Sequence, residues 1–246
     1  MKKLLLASVS AAALFAAPAM AQSNDSTVTQ GGTGNEATVT QSGSNATSSV
    51  DQSASNTTGD PSRNNKVTVT QTGSGADSTV VQTPGVGIDN RNVVLVEQDG
   101  DNTSQVTQAG TANSAEVHQG EGDGNLSTIT QGGSLNSVGN GVDNTGSAGV
   151  TQLGNDNTST VDQDPAQRAV ATVFQDGDAN SSGIRQEIAA GASSADASNA
   201  SVSQTGVGNQ STINQLSGVN PSLLDATVIQ NGNGNGSTID QSGAQN

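Results

Sequence analysis

The sequence predicts an all-β protein: a β-solenoid of stacked strand–turn–strand rungs, about 22 residues each, with amyloid-like cross-β spacing. Three observations predict it. A seven-residue unit, Asn-x-small-x-branched-x-Gln, recurs along most of the 246 residues. Within the unit the pattern has period two, which specifies strand and not helix. Glycine follows most units within two residues, where a tight turn needs a positive φ.

The first element is not part of the solenoid. Lys2 and Lys3 precede the apolar run LLLASVSAAALFAA, followed by Pro18 and the small-residue end Ala19-Met20-Ala21. A basic start, a short apolar stretch and an A-x-A site predict a secretory signal peptide over 1–21, with the mature chain, 22–246, beginning at Gln22. The run is too short for a membrane span, and no later stretch is apolar enough for one. Its removal takes both Met residues and Phe15, leaving Phe174 as the only aromatic residue. Five Lys and Arg then face 22 Asp and Glu, a formal charge of −17. There is no Cys, hence no disulfide framework for an exported chain. Taken alone, so much Gly, Ser, Asn, Thr and Gln would predict disorder; the repeat overturns that reading.

The clear units run Asn24 to Gln30, Asn35 to Gln41, Asn65 to Gln71, Asn102 to Gln108, Asn113 to Gln119, Asn125 to Gln131, Asn157 to Gln163, Asn180 to Gln186, Asn209 to Gln215 and Asn235 to Gln241. Looser copies end at Gln52, Gln82, Gln98, Gln152, Gln175, Gln204 and Gln230, for 17 units in all. Asn136 to Val142 reads as an eighteenth, degenerate unit, which would give nine rungs and a stack roughly 40 Å tall. Eleven of the 16 gaps between these Gln are 10 to 12 residues, a seven-residue strand plus a turn. The longer gaps, 52–71, 82–98, 186–204 and 215–230, are read as loops that leave the register intact, with a short helical turn expected in 187–197.

The faces follow from the alternation. Asn24, Ser26, Val28 and Gln30 share one face; Asp25, Thr27 and Thr29 share the other. Across the copies the second face carries the charges, Glu36, Lys66, Glu97, Glu116, Asp162, Arg185 and Asp240, so it is outward. The inward face has branched residues at its centre: Val28, Val39, Val69, Val106, Val117, Ile129, Val161, Ile184, Ile213 and Ile239. Its ends are amides. Burying an amide is costly unless every donor and acceptor is paired. Stacking identical amides at the strand spacing, each bonding the copy above and below, meets that demand. The inward Asn and Gln of the clear units are therefore expected to form ladders. Small Ala or Ser beside them lets the two sheets approach closely.

The pattern Gln-x-Gly-x-x-Asn-x-Ala/Ser-x-x-x-Gln resembles the curlin repeat of bacterial curli subunits. Gln30-Gly31-Gly32-Thr33-Gly34-Asn35-Glu36-Ala37 through Gln41 fits it, as do Gln108 to Gln119 and Gln204 to Gln215. The resemblance covers nearly all of the mature chain. It implies a fimbrium-like, extracellular amyloid fibre subunit of a bacterium, exported unfolded through a dedicated outer-membrane secretion channel and polymerised outside the cell for biofilm matrix and adhesion. The implied partners are copies of itself and a curli-type nucleator subunit. No nucleic-acid partner and no cofactor is expected. A solenoid that stays monomeric needs polar caps on its terminal rungs; the first and last units here are ordinary repeats, which predicts end-to-end self-association.

Other functions read less well. Catalysis lacks a constellation: His118 is the single histidine, on an outward position, and the many Ser have no base beside them. Phe174 is also outward. Calcium binding is raised by Asp99-Gly100-Asp101, Glu121-Gly122-Asp123 and Asp176-Gly177-Asp178 in turns, although the calcium-binding nonapeptide is absent. Ice binding is raised by the outward pairs Thr27/Thr29, Thr38/Thr40, Thr68/Thr70 and Thr128/Thr130, in only 4 of 17 units. A monomeric adhesin stalk would need a capped end or a separate binding domain.

Overall fold

A computed structural model describes residues 23–243, except 33, 57–64, 85–91, 121, 135–136, 139–148, 168, 189–197 and 218–223. Every described element is a strand or a turn. In chain order the strands are β1 (Asp25–Gly32), β2 (Glu36–Gln41), β3 (Thr47–Asn56), β4 (Lys66–Gln71), β5 (Asp77–Pro84), β6 (Val93–Gln98), β7 (Thr103–Gly110), β8 (Ser114–Gly120), β9 (Leu126–Ser134), β10 (Ser137–Val138), β11 (Val150–Leu153), β12 (Thr158–Gln167), β13 (Ala169–Asp176), β14 (Ser181–Ile188), β15 (Ser198–Thr205), β16 (Gln210–Ser217), β17 (Asp225–Asn231) and β18 (Gly236–Gly243). They alternate between two sheets. The first sheet runs β1-β3-β5-β7-β9-β12-β14-β16-β18; the second runs β2-β4-β6-β8-β10-β13-β15-β17, with β11 also pairing β8 and β13. This is the β-solenoid that the repeat predicts.

All the pairings are parallel and in register on the motif. In the first sheet Val28 aligns with Val50, Val50 with Val80, and Val106 with Ile129. In the second sheet Val39 aligns with Val69, and Val69 with Val96. A slip of one residue would turn every Val and Gln outward and every Thr and Asp inward, so burial holds the register.

The strand count corrects one expectation. Of Asn136 to Val142, expected as a unit of its own, only Ser137 and Val138 are described. Ser137 and Val138 pair with Ser114 and Ala115 on one side and with Val170 and Ala171 on the other. Val150 and Gln152 continue the same level, pairing with Val117 and Gln119, and with Val173 and Gln175. One strand position is thus shared by β10 and β11. Val150 and Gln152 supply the burial and the amide contact at this level further along the chain. The first sheet has nine strand levels and the second eight. The expected helical turn in 187–197 falls mostly outside the described residues; Glu187 and Ile188 end β14. Residues 1–21, read as a signal peptide, and the middle of each of the four long gaps, 57–64, 85–91, 189–197 and 218–223, also lie outside them.

The core is a thin file of branched and small side chains between the sheets. Val50, Val69, Val96, Val106, Val117 and Ile129 are all at most 1% exposed, and they form one cluster that continues to Ile213 and Val228. Burying each such side chain contributes roughly 1.5–3 kcal/mol. The small inward position differs between the sheets. In the first it is Ser at every level: Ser26, Ser48, Ser78, Ser104, Ser127, Ser159, Ser182, Ser211 and Ser237 align one over another. In the second it is Ala or Val, as at Ala37, Val67, Val94, Ala115, Ala171, Ala200 and Ala226.

The turns stack as tightly as the strands. A Cβ on Gly177, whose φ is +112°, would lie 2.2 Å from the carbonyl oxygen of Gly206 in the next turn. Glycine is required there by conformation and by the closeness of the neighbouring backbone.

Candidate functional site: the amide ladders and the two open ends

The strands place seventeen Gln on the inward face, and all seventeen join two continuous ladders. In the first sheet Gln30, Gln52, Gln82, Gln108, Gln131, Gln163, Gln186, Gln215 and Gln241 are linked, each Nε2 donating to the Oε1 of the next at 2.7–3.0 Å. In the second sheet Gln41, Gln71, Gln98, Gln119, Gln152, Gln175, Gln204 and Gln230 are linked in the same way at 2.8–3.0 Å. The ladder is polar: every donor points toward the C-terminal end. The other amide hydrogen fixes that orientation, because it goes to a main-chain carbonyl that only an N–H can meet. Gln71 donates to Thr47 O at 2.9 Å, Gln98 to Asn102 O at 2.9 Å and Gln108 to Val93 O at 3.0 Å. Every interior Gln is buried.

The Asn at the other end of each unit do two things. In the first sheet Asn125, Asn157, Asn180, Asn209 and Asn235 each donate from both the main-chain N and Nδ2 to Oδ1 of the preceding Asn, starting at Asn102, over 2.9–3.1 Å. This ladder donates toward the N-terminal end, opposite to the Gln ladders. The same Nδ2 groups clamp the turns: Asn125 bonds Gly154 O, Asn157 bonds Gly177 O and Asn180 bonds Gly206 O, at 2.7–2.8 Å.

Elsewhere the Asn column is broken. Ala46 and Ala76 separate Asn24 from Asn102. Asn24 instead bonds Gly43 O and accepts from Ala46 N, and Asn35 bonds Gly31 O and Gln52 O. In the second sheet Asn65 accepts from Asn92 N, and Asn92 accepts from Asn113 N. Asn92 was not among the sequence-predicted residues; its position six before Gln98 is the signal that marks it. The serine column was also missed as a first-sheet feature, although Ser stands four residues before each first-sheet Gln.

At the two ends the inward pattern is laid open. The predicted inward residues of β1 and β18 are not buried as the interior ones are. Val28 is 44% exposed. Gln30 and Asn235 are exposed, and Asn24, Asn35, Val39, Gln41, Ile239 and Gln241 are half-buried. At the C-terminal end a groove of about 440 Å³ is lined by Val228, Gln230 and Asn231 of β17 and its turn, and by Asn235, Ser237 and Ile239. Among the described residues, no strand pairs with the outer edge of β1 or of β18. The two edges are also chemically complementary. Gln30 and Gln41 begin their ladders and present Oε1 acceptors; Gln230 and Gln241 end theirs and present Nε2 donors.

The outward faces are charged in patches. Lys66 lies 3.5 Å from Glu36 on the neighbouring level, and His118 lies 3.3 Å from Glu97. Arg185 pairs with Glu187. Partial burial first, then the nearby Glu97 charge, raises the Glu116 carboxyl above its ordinary range. Partial burial and then Asp164 do the same to Asp162. Turn carboxylates act on main chain: Asp123 Oδ1 accepts from Asp101 N at 2.9 Å and Asp178 Oδ1 from Asn155 N at 3.0 Å. Among the described residues no group of three or more His, Cys, Asp or Glu converges as a metal site would require. The four outward Thr pairs divide between the sheets, two on β1 and β9 and two on β2 and β4. Among the described residues no helix is long and apolar enough to cross a membrane.

Residues 21–53 and 101–133 match the family model of the curlin associated repeat. No curated protein matches the chain. Both matched segments contain the Asn-to-Gln unit whose amides stack in the two sheets, and the other units pair with them in register: the chain carries curlin-associated repeats over these two segments.

Proposed function

We propose that this curli-like structural protein is the subunit of an extracellular amyloid fibre that grows by end-to-end stacking, and that the fibre serves biofilm matrix and adhesion. The observation that carries the reading is the pair of ends that no described residue caps. The strands β1 and β18 present the pattern that every interior strand buries, with ladder acceptors at one end and donors at the other. Such edges template a further copy. Because the surfaces at the two ends differ, the contact is heterologous and does not close, so it yields a fibre and not a ring. The segment 1–21 serves as the export signal in this reading. An outer-membrane secretion channel and a nucleator subunit are the partners that the curlin family suggests. The acidic outward faces slow association by mutual repulsion until the chains are concentrated outside the cell.

X-ray fibre diffraction on the incubated chain tests this, with seeding of fresh protein followed in parallel by an amyloid dye. Reflections near 4.7–4.8 Å and about 10 Å from material that seeds are expected. A β-rich chain that remains monomeric at high concentration and never seeds would sink the fibre reading while leaving the solenoid intact.

A further inference from the structure

We propose that successive subunits of the fibre are turned by half a turn about its axis, so that the first sheet of one copy continues as the second sheet of the next. The inference rests on the stacking read above and adds its geometry. It comes from a parity. The described strands begin in the first sheet with β1 and end in the first sheet with β18, nine levels against eight in the other. At the C-terminal end the first sheet therefore overhangs the second by one strand. The groove of about 440 Å³ lies in that place, between the free edge of β17 and the inward residues Ser237 and Ile239 of β18.

If the next copy were stacked by translation alone, its β1 would lie on β18 and its β2 would face β17 across an empty level. Two strand edges would be left about 9–10 Å apart, twice the strand spacing, with no main-chain partner. If the next copy is first rotated by half a turn, its β1 enters the groove and pairs with β17, and its β2 pairs with β18. A half-turn about the stacking axis exchanges the sheets and reverses strand direction in space. Facing strands of a two-sheet solenoid run oppositely, so both new pairings are parallel, as are all those within the chain.

The inward residues match under this exchange. Val28 of the next copy falls on Val228 and Val39 on Ile239. Ser26 falls on Ala226 and Ala37 on Ser237, small on small. Gln30 Oε1 meets the Nε2 of Gln230, and Gln41 Oε1 that of Gln241, so both ladders cross the junction with their polarity kept. Asn35 falls on Asn235 and extends the asparagine column. The exchange is possible because the sheets share one pattern, and the odd number of levels makes it necessary for an unbroken stack.

The chain has no cysteine, so single Cys variants report the junction. The positions preceding the terminal Gln point outward; Ile229 is 69% exposed. Full-length Thr29→Cys is to be mixed with Ile229→Cys in one sample and with Asp240→Cys in another, allowed to assemble, and treated with a short bifunctional thiol cross-linker. The half-turn predicts dimers from Thr29→Cys with Ile229→Cys at least tenfold in excess over those from Thr29→Cys with Asp240→Cys. The reverse ratio shows translation and overturns the half-turn while leaving the fibre standing. Fibres with neither cross-link overturn it as well, by showing that the ends do not meet. Failure of all samples, and of the unmodified chain, to sediment and to give the 4.7–4.8 Å reflection removes the fibre itself. Thr40→Cys with Asp240→Cys is a second arm, expected to cross-link under the half-turn.

Discussion

The glutamine ladder sets what a single interior residue is worth. Gln108 accepts from Gln82, donates to Gln131 and donates to Val93 O, all at 2.8–3.0 Å in a buried site. Gln108→Leu keeps most of the volume but strands the Gln82 amide hydrogen, the Gln131 oxygen and a main-chain carbonyl. At about 1–3 kcal/mol per stranded buried group, a loss of about 3 kcal/mol or more is expected. Gln30→Leu, on the exposed first level, strands only the Gln52 oxygen and is expected to cost about 1 kcal/mol. Denaturant midpoints measured side by side check the contrast; equal losses would show that the ladder does not hold the stack. The serine column has the opposite sign. The hydroxyls of Ser127, Ser159 and Ser182 are buried without a hydrogen-bond partner, and the second sheet uses Ala or Val at the same position. Ser159→Ala is therefore expected to raise stability, by about 1 kcal/mol. A drop in midpoint would mean that the hydroxyl has a partner in solution.

At the scale of the strand, the period-two alternation with Gln at its end was enough to place every clear unit, because burial and amide pairing act on the same alternate positions. The inward Val and Gln were legible for that reason. Two features were not. The sharing of one level by β10 and β11 depends on which later Val and Gln restore the contacts, and an insertion within a unit looks like a degenerate unit when read along the chain. The reversed direction of the asparagine ladder depends on the turn carbonyls that compete for Nδ2, and these lie on neighbouring levels, 20 or more residues away in sequence. Outward faces were legible only as polar. Pairing across levels puts Glu116 near Glu97, the alternation along β12 puts Asp162 on the same face as Asp164, and both carboxyls are held above their ordinary range, mainly by partial burial. A carboxyl with a raised folded pKa binds its proton more tightly folded than unfolded, so stability rises as pH falls. The penalty at neutral pH is relieved as pH drops through the raised values and is gone below the ordinary 4.5 of Glu and 3.8 of Asp. The chain is expected to unfold at higher denaturant at pH 4.5 than at pH 7. The double variant Glu116→Gln, Asp162→Asn should be more stable at about pH 7 and show a flatter dependence. An unchanged pH slope in that variant would assign the effect to other groups.

At the scale of the whole molecule, the decisive property is polarity. Each Gln side chain donates toward the C-terminal end, so the two ends of any stack differ: one offers oxygens and Val28, the other offers amide hydrogens and the groove beside β17. Val28 is nearly half exposed in the isolated chain, so Val28→Asp should leave the monomer within about 1 kcal/mol of the parent. In a fibre the same carboxylate would have to enter the core against Val228 and Ile239, where an unpaired charge is far costlier than in water. The variant alone is expected to form no fibres. Its C-terminal end is unaltered, so it can still receive the N-terminal end of an unmodified fibre. Once docked, it presents the introduced carboxylate on its free N-terminal edge and blocks the next addition at that end. A small molar fraction of Val28→Asp should therefore stop growth at one end only, and fibres watched singly from marked seeds should lengthen in one direction. Blocked growth at both ends would mean that the two ends are alike. Undiminished growth at both would mean that β1 is not at the junction.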